Sequence, residues 1–303
     1  MKIGYPCINW TIGCKGNKTF RLKSYSEDRL IETVNNNLDC LKKILNYNIK
    51  NNFLFFRITS DLIPFASHPI CTFNWQDFFK QKFLELGEII KDNDIRISMH
   101  PDQFIVLNSN REEVVNRSIK ELEYHADVLD LMNLESDAKI QLHIGGAYGD
   151  KQKSISRFNE KYKKLDFKIK KRLVIENDDK IFSLKDCLNL FDKSGIPILF
   201  DVLHHKVLGD DEKIESVLEK QRKTWKKSDG IPMIDYSSQK DGFRPGSHAE
   251  SIDLKDFKNF INDSKGYDFD IMLEIKDKEK SAFKALKIIN SDHRFGKMRW
   301  NHG

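Results

Sequence analysis

The sequence has few cysteines, and their spacing does not suit zinc or redox chemistry. The five are Cys7, Cys14, Cys40, Cys71 and Cys187, and no two of them form a CxxC pair. An odd number of scattered thiols is typical of a reducing compartment. We therefore expect a cytoplasmic protein with free, reduced cysteines.

Long apolar runs are also missing. No stretch approaches the roughly 18 apolar residues that cross a bilayer, and Met1 leads straight into a strand-like segment without the architecture of a signal peptide. Export and membrane spanning are therefore not expected.

Glycine and proline are scarce, with 15 and 7 in 303 residues, and the sequence contains no short-period repeat. Hydrophobic residues make up 39% and charged residues 32%, which favours a folded globular protein over a disordered one. The net charge of +5 is a mild excess that only weakly favours a polyanionic partner. We expect a monomer.

Short apolar runs alternate with longer segments whose apolar positions recur every three or four residues, as in parallel βα units. Eight strands followed by helices, with no second domain, predict one closed (β/α)8 TIM barrel over residues 1–303. The predicted strands are residues 2–9, 53–59, 95–100, 139–144, 172–177, 197–202, 231–236 and 270–275. Predicted helical segments include residues 26–47, 75–91, 111–132 and 278–289.

An open doubly wound sheet is the structural alternative. It would normally carry a GxGxxG turn after its first strand, but residues 9–20 read NWTIGCKGNKTF. The long polar segment after the seventh strand, SSQKDGFRPGSHAES, is typical of a functional loop at the carboxyl end of a barrel.

Residues that bind metals fall at these strand ends and in the loops that follow them. Six of the nine histidines are among them. Taken singly, each histidine is as well explained as a core or loop residue, and each carboxylate as a helix cap. Taken together they predict a metal site, because buried acids and imidazoles need neutralisation. The residues are Asn9, His68, His100, His143, Glu176, Asp201, His204, His205, Asp235, His248 and Glu274.

Mixed imidazole and carboxylate ligands without thiolate suit Mn²⁺, Zn²⁺, Fe²⁺ or Co²⁺ better than Mg²⁺ or Ca²⁺, which prefer oxygen alone. We expect Mn²⁺, with Zn²⁺, Co²⁺ and Mg²⁺ as alternatives. So many ligands exceed the needs of one ion, so we expect a cluster of two or three ions with Glu176 as a bridge. Basic residues near strand ends, including Arg57 and Lys151, are candidates for phosphate contacts.

At these same residues the sequence resembles the ultraviolet damage endonuclease family, and the resemblance covers almost the whole chain. It also implies a distant similarity to endonuclease IV and xylose isomerase barrels. The matching segments are GYPCIN (4–9), FRITSDLIPFASH (56–68), SMHPDQF (98–104), HIGGAYGDK (143–151), VIENDD (174–179), FDVLHH (200–205), DYSSQ (235–239), GSHAE (246–250) and LEIKDKE (273–279).

The resemblance implies roles for individual residues. Gln103 and Phe104 would probe the lesion, and Tyr5 and Asn9 would lie on the floor of the DNA groove. Catalysis would rest on Glu176, Asp201, Glu274, His100 and His143. The implied metal ligands are His100, His143, Glu176, Asp201, His204, His248 and Glu274, with His68 nearby.

Two departures from the family pattern bear on this site. A lysine that can be carboxylated and a histidine are common in the seventh strand, where this chain has Met233 and Asp235. Met233 cannot be carboxylated, but Asp235 can still bind a cation through oxygen and is expected to be a ligand. We therefore expect a working cluster whose third ion is altered, weaker or absent. A tyrosine beside the probing glutamine is replaced by Phe104, which keeps a ring for stacking but lacks the hydroxyl.

The function implied by the resemblance is a metal-dependent DNA repair endonuclease, with a DNA-binding groove and a metal cluster at the carboxyl ends of the barrel strands. Such a protein would be associated with the nucleoid when it is bound to DNA. It would nick duplex DNA immediately 5′ to ultraviolet photolesions, namely cyclobutane pyrimidine dimers, 6-4 photoproducts and also abasic sites. The nick would leave a 3′-hydroxyl and a 5′-phosphate. The alternatives are a metal-dependent sugar isomerase or epimerase on a related barrel and a DNA-binding barrel without catalysis.

Overall fold

The computed structural model describes residues 1–209 and 212–295. Eight parallel strands pair in chain order, and β1 also pairs with β8, so the barrel is closed. The predicted (β/α)8 fold is therefore confirmed, with strands shorter than expected. They are β1 Ile3–Pro6, β2 Phe55–Ile58, β3 Arg96–Met99, β4 Lys139–His143, β5 Leu173–Glu176, β6 Ile198–Asp201, β7 Met233–Tyr236 and β8 Asp270–Leu273.

Helices surround the barrel and begin and end where the local sequence dictates. Ser26 caps the first helix by accepting a hydrogen bond from the amide of Arg29. The predicted helix at residues 75–91 is divided at Phe79, which ends α2 and precedes α3. The helices are α1 Glu27–Lys50, α2 Trp75–Phe78, α3 Lys80–Asp92, α4 Glu112–Leu131, α5 Lys151–Lys163, α6 Phe167–Lys170, α7 Leu184–Ser194, α8 Val202–Leu208, α9 Ile214–Arg222, α10 Leu254–Asp263 and α11 Glu279–Ile289.

The barrel interior is filled in layers, because alternate residues of each strand point inward. A middle layer is apolar and consists of Phe55, Val174, Leu199, Met233 and Met272. Charged layers lie on either side of it. The layer at the amino ends of the strands contains Lys2, Arg96, Lys139 and Asp270, and the layer at the carboxyl ends contains Arg57, Glu176, Asp201, Asp235 and Glu274.

The expectation of free cysteines is wrong for one pair. Cys14, in the loop after β1, forms a disulfide with Cys40 of α1, and their Cα atoms are 5.9 Å apart. Cys7, Cys71 and Cys187 are free. The bond ties the loop that follows β1 to the first helix.

Among the described residues, no helix combines the length and the apolar character that crossing a membrane requires.

Candidate metal centre

Three groups of potential metal ligands meet at the carboxyl ends of the strands. Within each group the candidate ligand atoms lie within 4.8 Å of one another, and Glu176 belongs to two of the groups. The first group is His100, His143 and Glu176, the second is Glu176, Asp201 and His204, and the third is Asp201, Asp235 and Glu274.

Glu176 lies at the centre of this arrangement, at the end of β5. Its Oε2 is 3.3 Å from Nε2 of His100 and 3.7 Å from Nε2 of His143, and its Oε1 is 3.4 Å from Nδ1 of His204. Gln141 also donates a 2.7 Å hydrogen bond to Oε2. Burial alone would raise the pKa of Glu176, but His143 and His100 hold it well below its ordinary value. Glu176 is therefore a carboxylate that faces three imidazoles.

A backbone carbonyl orients His100, and burial sets the charge of His143. Nδ1 of His100 lies 2.7 Å from the carbonyl of Pro101, and this contact turns Nε2 toward Glu176. A hydrogen bond of this kind fixes the tautomer of a ligating histidine. Burial lowers the pKa of His143, which favours the neutral ring that a metal ion requires.

Asp201 combines a structural bond with an unused oxygen. Its Oδ1 caps α8 by accepting a 2.6 Å hydrogen bond from the amide of His204. Its buried Oδ2 has no hydrogen-bond partner among the residues that the structure describes. Burial, with Glu176 and Glu274 nearby, raises the pKa of Asp201 to about 7. Burial opposes protonation of His204, but Asp201 and Glu176 raise its pKa to about 11.

The third group contains a cation of the chain itself. The Nη2 atom of Arg57 donates to both oxygens of Asp235, at 2.8 and 2.7 Å, and Nη1 donates to Glu274. Burial opposes the charge of Arg57, but Asp235 and Glu274 raise its pKa. Burial also acts to raise the pKa of Glu274, but Arg57 lowers it to about 2. Arg57 is only 3% exposed and its guanidinium is bonded to two carboxylates, although it lines the cleft, so its contact with a phosphate stays a prediction.

Two histidines that we predicted as ligands lie outside the three groups. His248 borders the site, with Nδ1 3.7 Å from Oε2 of Glu274 and 2.7 Å from the carbonyl of the same residue. His68 is exposed, and its Nδ1 accepts a hydrogen bond from the amide of Ile70 within its own loop. The structure therefore does not bring His68 to the cluster, which corrects that prediction.

Tyr5 and Asn9 are not on the groove floor. Tyr5 points to the outside of the barrel, is fully buried, and packs edge-on against Phe53 and Phe56. Asn9 is 3% exposed, donates to the Tyr5 hydroxyl, and accepts the amide hydrogens of Thr11 and Ile12. Both residues stabilise the loop after β1, so the predicted DNA contacts are wrong for this pair.

A cleft of about 970 Å³ opens above the ligand groups. Gln103 lines it, and Phe104 beside Gln103 is 67% exposed. Lys151 begins α5 and pairs with Asp186 at 3.1 Å, outside the cleft lining.

The cleft wall includes side chains that sequence reasoning missed. Tyr148 and Phe243 are both exposed large aromatics, and Lys240 lies 4.0 Å from the ring centroid of Phe243. In the sequence, only their positions could have marked them. Tyr148 lies in the matched segment HIGGAYGDK, and Lys240 and Phe243 lie in the long polar loop after β7.

The donor set fits divalent ions. It offers imidazole nitrogens and carboxylate oxygens and no thiolate, and the buried Oδ2 of Asp201 lacks a protein partner among the described residues. Carboxylates gathered in a buried site are costly without cations to neutralise them. The first two groups are therefore suited to hold metal ions.

Comparison with known proteins agrees with this geometry. Curated relatives include a UV DNA damage endonuclease from Clostridium perfringens, 44% identical over 96% of this chain and 72% of its own length. Another, from Bacillus thuringiensis subsp. konkukian, is 34% identical over 96% of this chain and 95% of its own length.

Solved structures show the same relationship. The crystal structure of SacUVDE matches with a TM-score of 0.92 and 50% identity, covering 96% of this chain and 98% of that one. Endonuclease IV from Thermus thermophilus has a TM-score of 0.58 at 13% identity, over 83% of this chain and 93% of its own, which shows a shared fold. The family model described as UV-endonuclease UvdE matches residues 1–299. The chain therefore belongs to the UvdE family.

Proposed function

We propose that the protein nicks duplex DNA immediately 5′ to ultraviolet photolesions and leaves a 3′-hydroxyl and a 5′-phosphate. Its substrates would be cyclobutane pyrimidine dimers, 6-4 photoproducts and abasic sites. The observation that carries the proposal is the set of ligand groups joined by Glu176 at the base of an open cleft. The names of the relatives point to the same activity.

The residues of the first two groups would hold the metal ions. Glu176 would be shared between the two groups, and His248 would lie at the edge of the site. We propose a cluster of two or three divalent ions with Mn²⁺ as the working metal, and Zn²⁺, Co²⁺ and Mg²⁺ as the competitors to be tested. Ions bound there would activate water for in-line attack at phosphorus and stabilise the departing 3′ oxygen.

The side chains around the ions would act mainly by position and charge. The carboxylates of Glu176, Asp201 and Glu274 supply the negative charge that binds cations. His100 and His143 point Nε2 toward Glu176, so their rings can fix the coordination geometry. Glu176, Asp201, Glu274, His100 and His143 are thus the proposed catalytic set.

We expect basic side chains along one side of the cleft to contact the phosphates of the DNA backbone. Lys240, Arg244, Lys276 and Lys278 line it, and Arg244 and Lys276 are exposed. Contacts between such side chains and phosphates would make binding weaken steeply as salt rises. The expected partner is double-stranded DNA, approached from the open side of the barrel.

Lesion recognition would depend on Gln103 and Phe104, in the loop after β3. A crosslinked pyrimidine pair stacks poorly, so it costs less to rotate out of the helix than an intact pair. The exposed ring of Phe104 could then fill the gap by stacking, while Gln103 contacts the bases from the cleft.

We also propose that the chain acts as a monomer in the cytoplasm and joins the nucleoid when it is bound to DNA. One barrel carries all the proposed ligands, so catalysis needs no second copy. Analytical ultracentrifugation with and without a DNA duplex would measure the mass of the particle and so test whether the chain is a monomer.

The decisive assay is incubation with a duplex that carries one cyclobutane dimer, in Mn²⁺, Mg²⁺, Zn²⁺, Co²⁺ or chelator, followed by mapping of both termini at the cut. We expect a single nick next to the dimer that chelator abolishes. Binding of the damaged duplex without a nick, whichever metal is added, would instead favour a DNA-binding barrel without catalysis.

The same preparation should leave sugars unchanged. Turnover of a ketose without DNA nicking would favour the epimerase alternative.

A further inference from the structure

The third ligand group differs from the other two because a protein cation already lies within it. Arg57 projects from β2 into the carboxyl-end layer and reaches Asp235 and Glu274, two of the three acids in that group. In the first two groups, the ion pairs of Glu176 and Asp201 within the described part of the chain are with imidazoles and not with a lysine or arginine. The three groups are therefore not equivalent as cation sites.

The oxygens of Asp235 are largely used by protein donors. Both accept from Nη2 of Arg57, and Oδ2 also accepts a 2.7 Å hydrogen bond from Gln141. An ion bound in this group would have to replace these bonds. It would leave a guanidinium that is always charged, and only 3% exposed, without its carboxylates. The geometry thus favours the guanidinium over an added ion.

The balance of charge leads to the same conclusion. The three groups contain four carboxylates, namely Glu176, Asp201, Asp235 and Glu274. Two divalent ions together with Arg57 bring five positive charges, which leaves a small positive excess for a phosphate. A third divalent ion would add two more charges within the same few ångströms, next to the guanidinium.

The residue below Asp235 offers no compensating ligand. Met233, two residues earlier on β7, is fully buried in the apolar middle layer with Phe55 and Met272. A thioether is a soft ligand that suits neither Mn²⁺ nor Mg²⁺. Strand β7 therefore contributes to the site only a carboxylate that is bonded to Arg57.

We propose that the guanidinium of Arg57 is a built-in cation that takes the place of a third metal ion, so that the protein binds two ions, in the first and second groups. The proposal rests on the proposed metal-dependent function but concerns the number of ions. Its test is metal binding without DNA, so its outcome is separate from that of the nicking assay.

The test is Mn²⁺ stoichiometry, measured by titration calorimetry and by elemental analysis after dialysis, on the parent and the Arg57→Gln variant. We expect two ions in the parent and three in Arg57→Gln, because the variant frees the acids of the third group. The matched control is Arg157→Gln, which removes a guanidinium that bonds Ser154 and the carbonyl of Asn108, away from the ligand groups, and should keep two. Three ions in the parent, or two in Arg57→Gln, would overturn the proposal.

A second variant covers the case in which Arg57→Gln does not fold. Asp235→Asn keeps the shape of the side chain and should leave the stoichiometry at two, because Asp235 bonds Arg57 and holds no ion. Loss of one ion in Asp235→Asn would show that Asp235 is a ligand and would contradict the proposal. A parent that binds two ions but never nicks damaged DNA would overturn the proposed function and leave this inference standing.

Discussion

The two ends of the barrel both bury charge, but they neutralise it in different ways. At the amino end, Lys139 pairs with Asp229 at 2.6 Å, and Arg172 binds Asp130 and three backbone carbonyls. At the carboxyl end, four carboxylates share one guanidinium and several imidazoles. The amino end is therefore balanced by the chain itself, whereas the carboxyl end has an excess of negative charge that external cations can satisfy. We expect the first arrangement to serve stability and the second to serve the proposed function.

The largest expected effect comes from the bridging carboxylate. Glu176→Gln keeps the shape but removes the charge shared by two ligand groups, so nicking of dimer-containing duplex should fall about 10³-fold while lesion binding is retained. Single-turnover nicking and fluorescence anisotropy would measure the two quantities. Glu121→Gln, a change to a largely buried acid outside the three groups, is the matched control. Nicking by Glu176→Gln at a rate near that of the parent would refute the bridging role.

At the amino end the same kind of change should act on stability. Lys139→Met leaves Asp229 without its lysine, and removing one partner of a buried pair costs about 3–5 kcal/mol. Urea denaturation would measure this loss, and Mn²⁺ stoichiometry should not change. The double variant Lys139→Met with Asp229→Asn should recover part of the loss. An unchanged free energy of unfolding in Lys139→Met would mean that the buried ion pair at the amino end does not stabilise the fold.

Acid should destabilise the protein through a histidine that lies beside the metal centre and outside the ligand groups. Burial lowers the pKa of His125 from 6.5 to about 4. Between these values the unfolded chain takes up a proton that the folded chain does not, so stability falls as the pH drops from 6.5 to 4. The full effect is about 3 kcal/mol. Chemical denaturation in chelator across this range would show it.

The control for this pH effect is His125→Gln, which has no proton to take up. The parent should lose more stability than the variant between pH 6.5 and 4, and the two slopes should agree above pH 7. Parallel curves throughout would show that His125 does not cause the acid sensitivity.

The smallest effect concerns lesion recognition. Phe104→Ala should reduce the preference for damaged over intact duplex about 10-fold, since stacking of a base on an aromatic ring contributes about 1–3 kcal/mol. Phe167→Ala is a matched control, because Phe167 is 74% exposed on α6, away from the cleft lining. Competition binding would measure the preference. Equal preferences for the parent and Phe104→Ala would remove Phe104 from recognition.

Much of the fold and the metal centre could be predicted from the sequence because strand periodicity places residues in space. Once the eight strands are recognised, the parallel barrel brings Glu176, Asp201 and Glu274 to one end. His100 and His143 follow by the same rule. These residues need only correct strand ends, which short apolar runs provide.

The errors arose where the direction or pairing of a side chain mattered. Tyr5 lies on the outward face of β1, and the inward alternation of Gly4 and Pro6 could have indicated this. The pairing of Arg57 with Asp235 joins β2 to β7 across the barrel, and no local pattern reports such a contact. The position of His68 depends on its own loop, and the bond between Cys14 and Cys40 depends on how the loop after β1 folds onto α1.

The most direct test of the difference between the two ends is an anomalous difference map at the manganese edge from crystals soaked in Mn²⁺. We predict one peak among His100, His143 and Glu176, a second beside Glu176, Asp201 and His204, and none at the amino end. Absence of peaks at the carboxyl end, or peaks of equal height beside Lys139 and Asp229, would contradict the account.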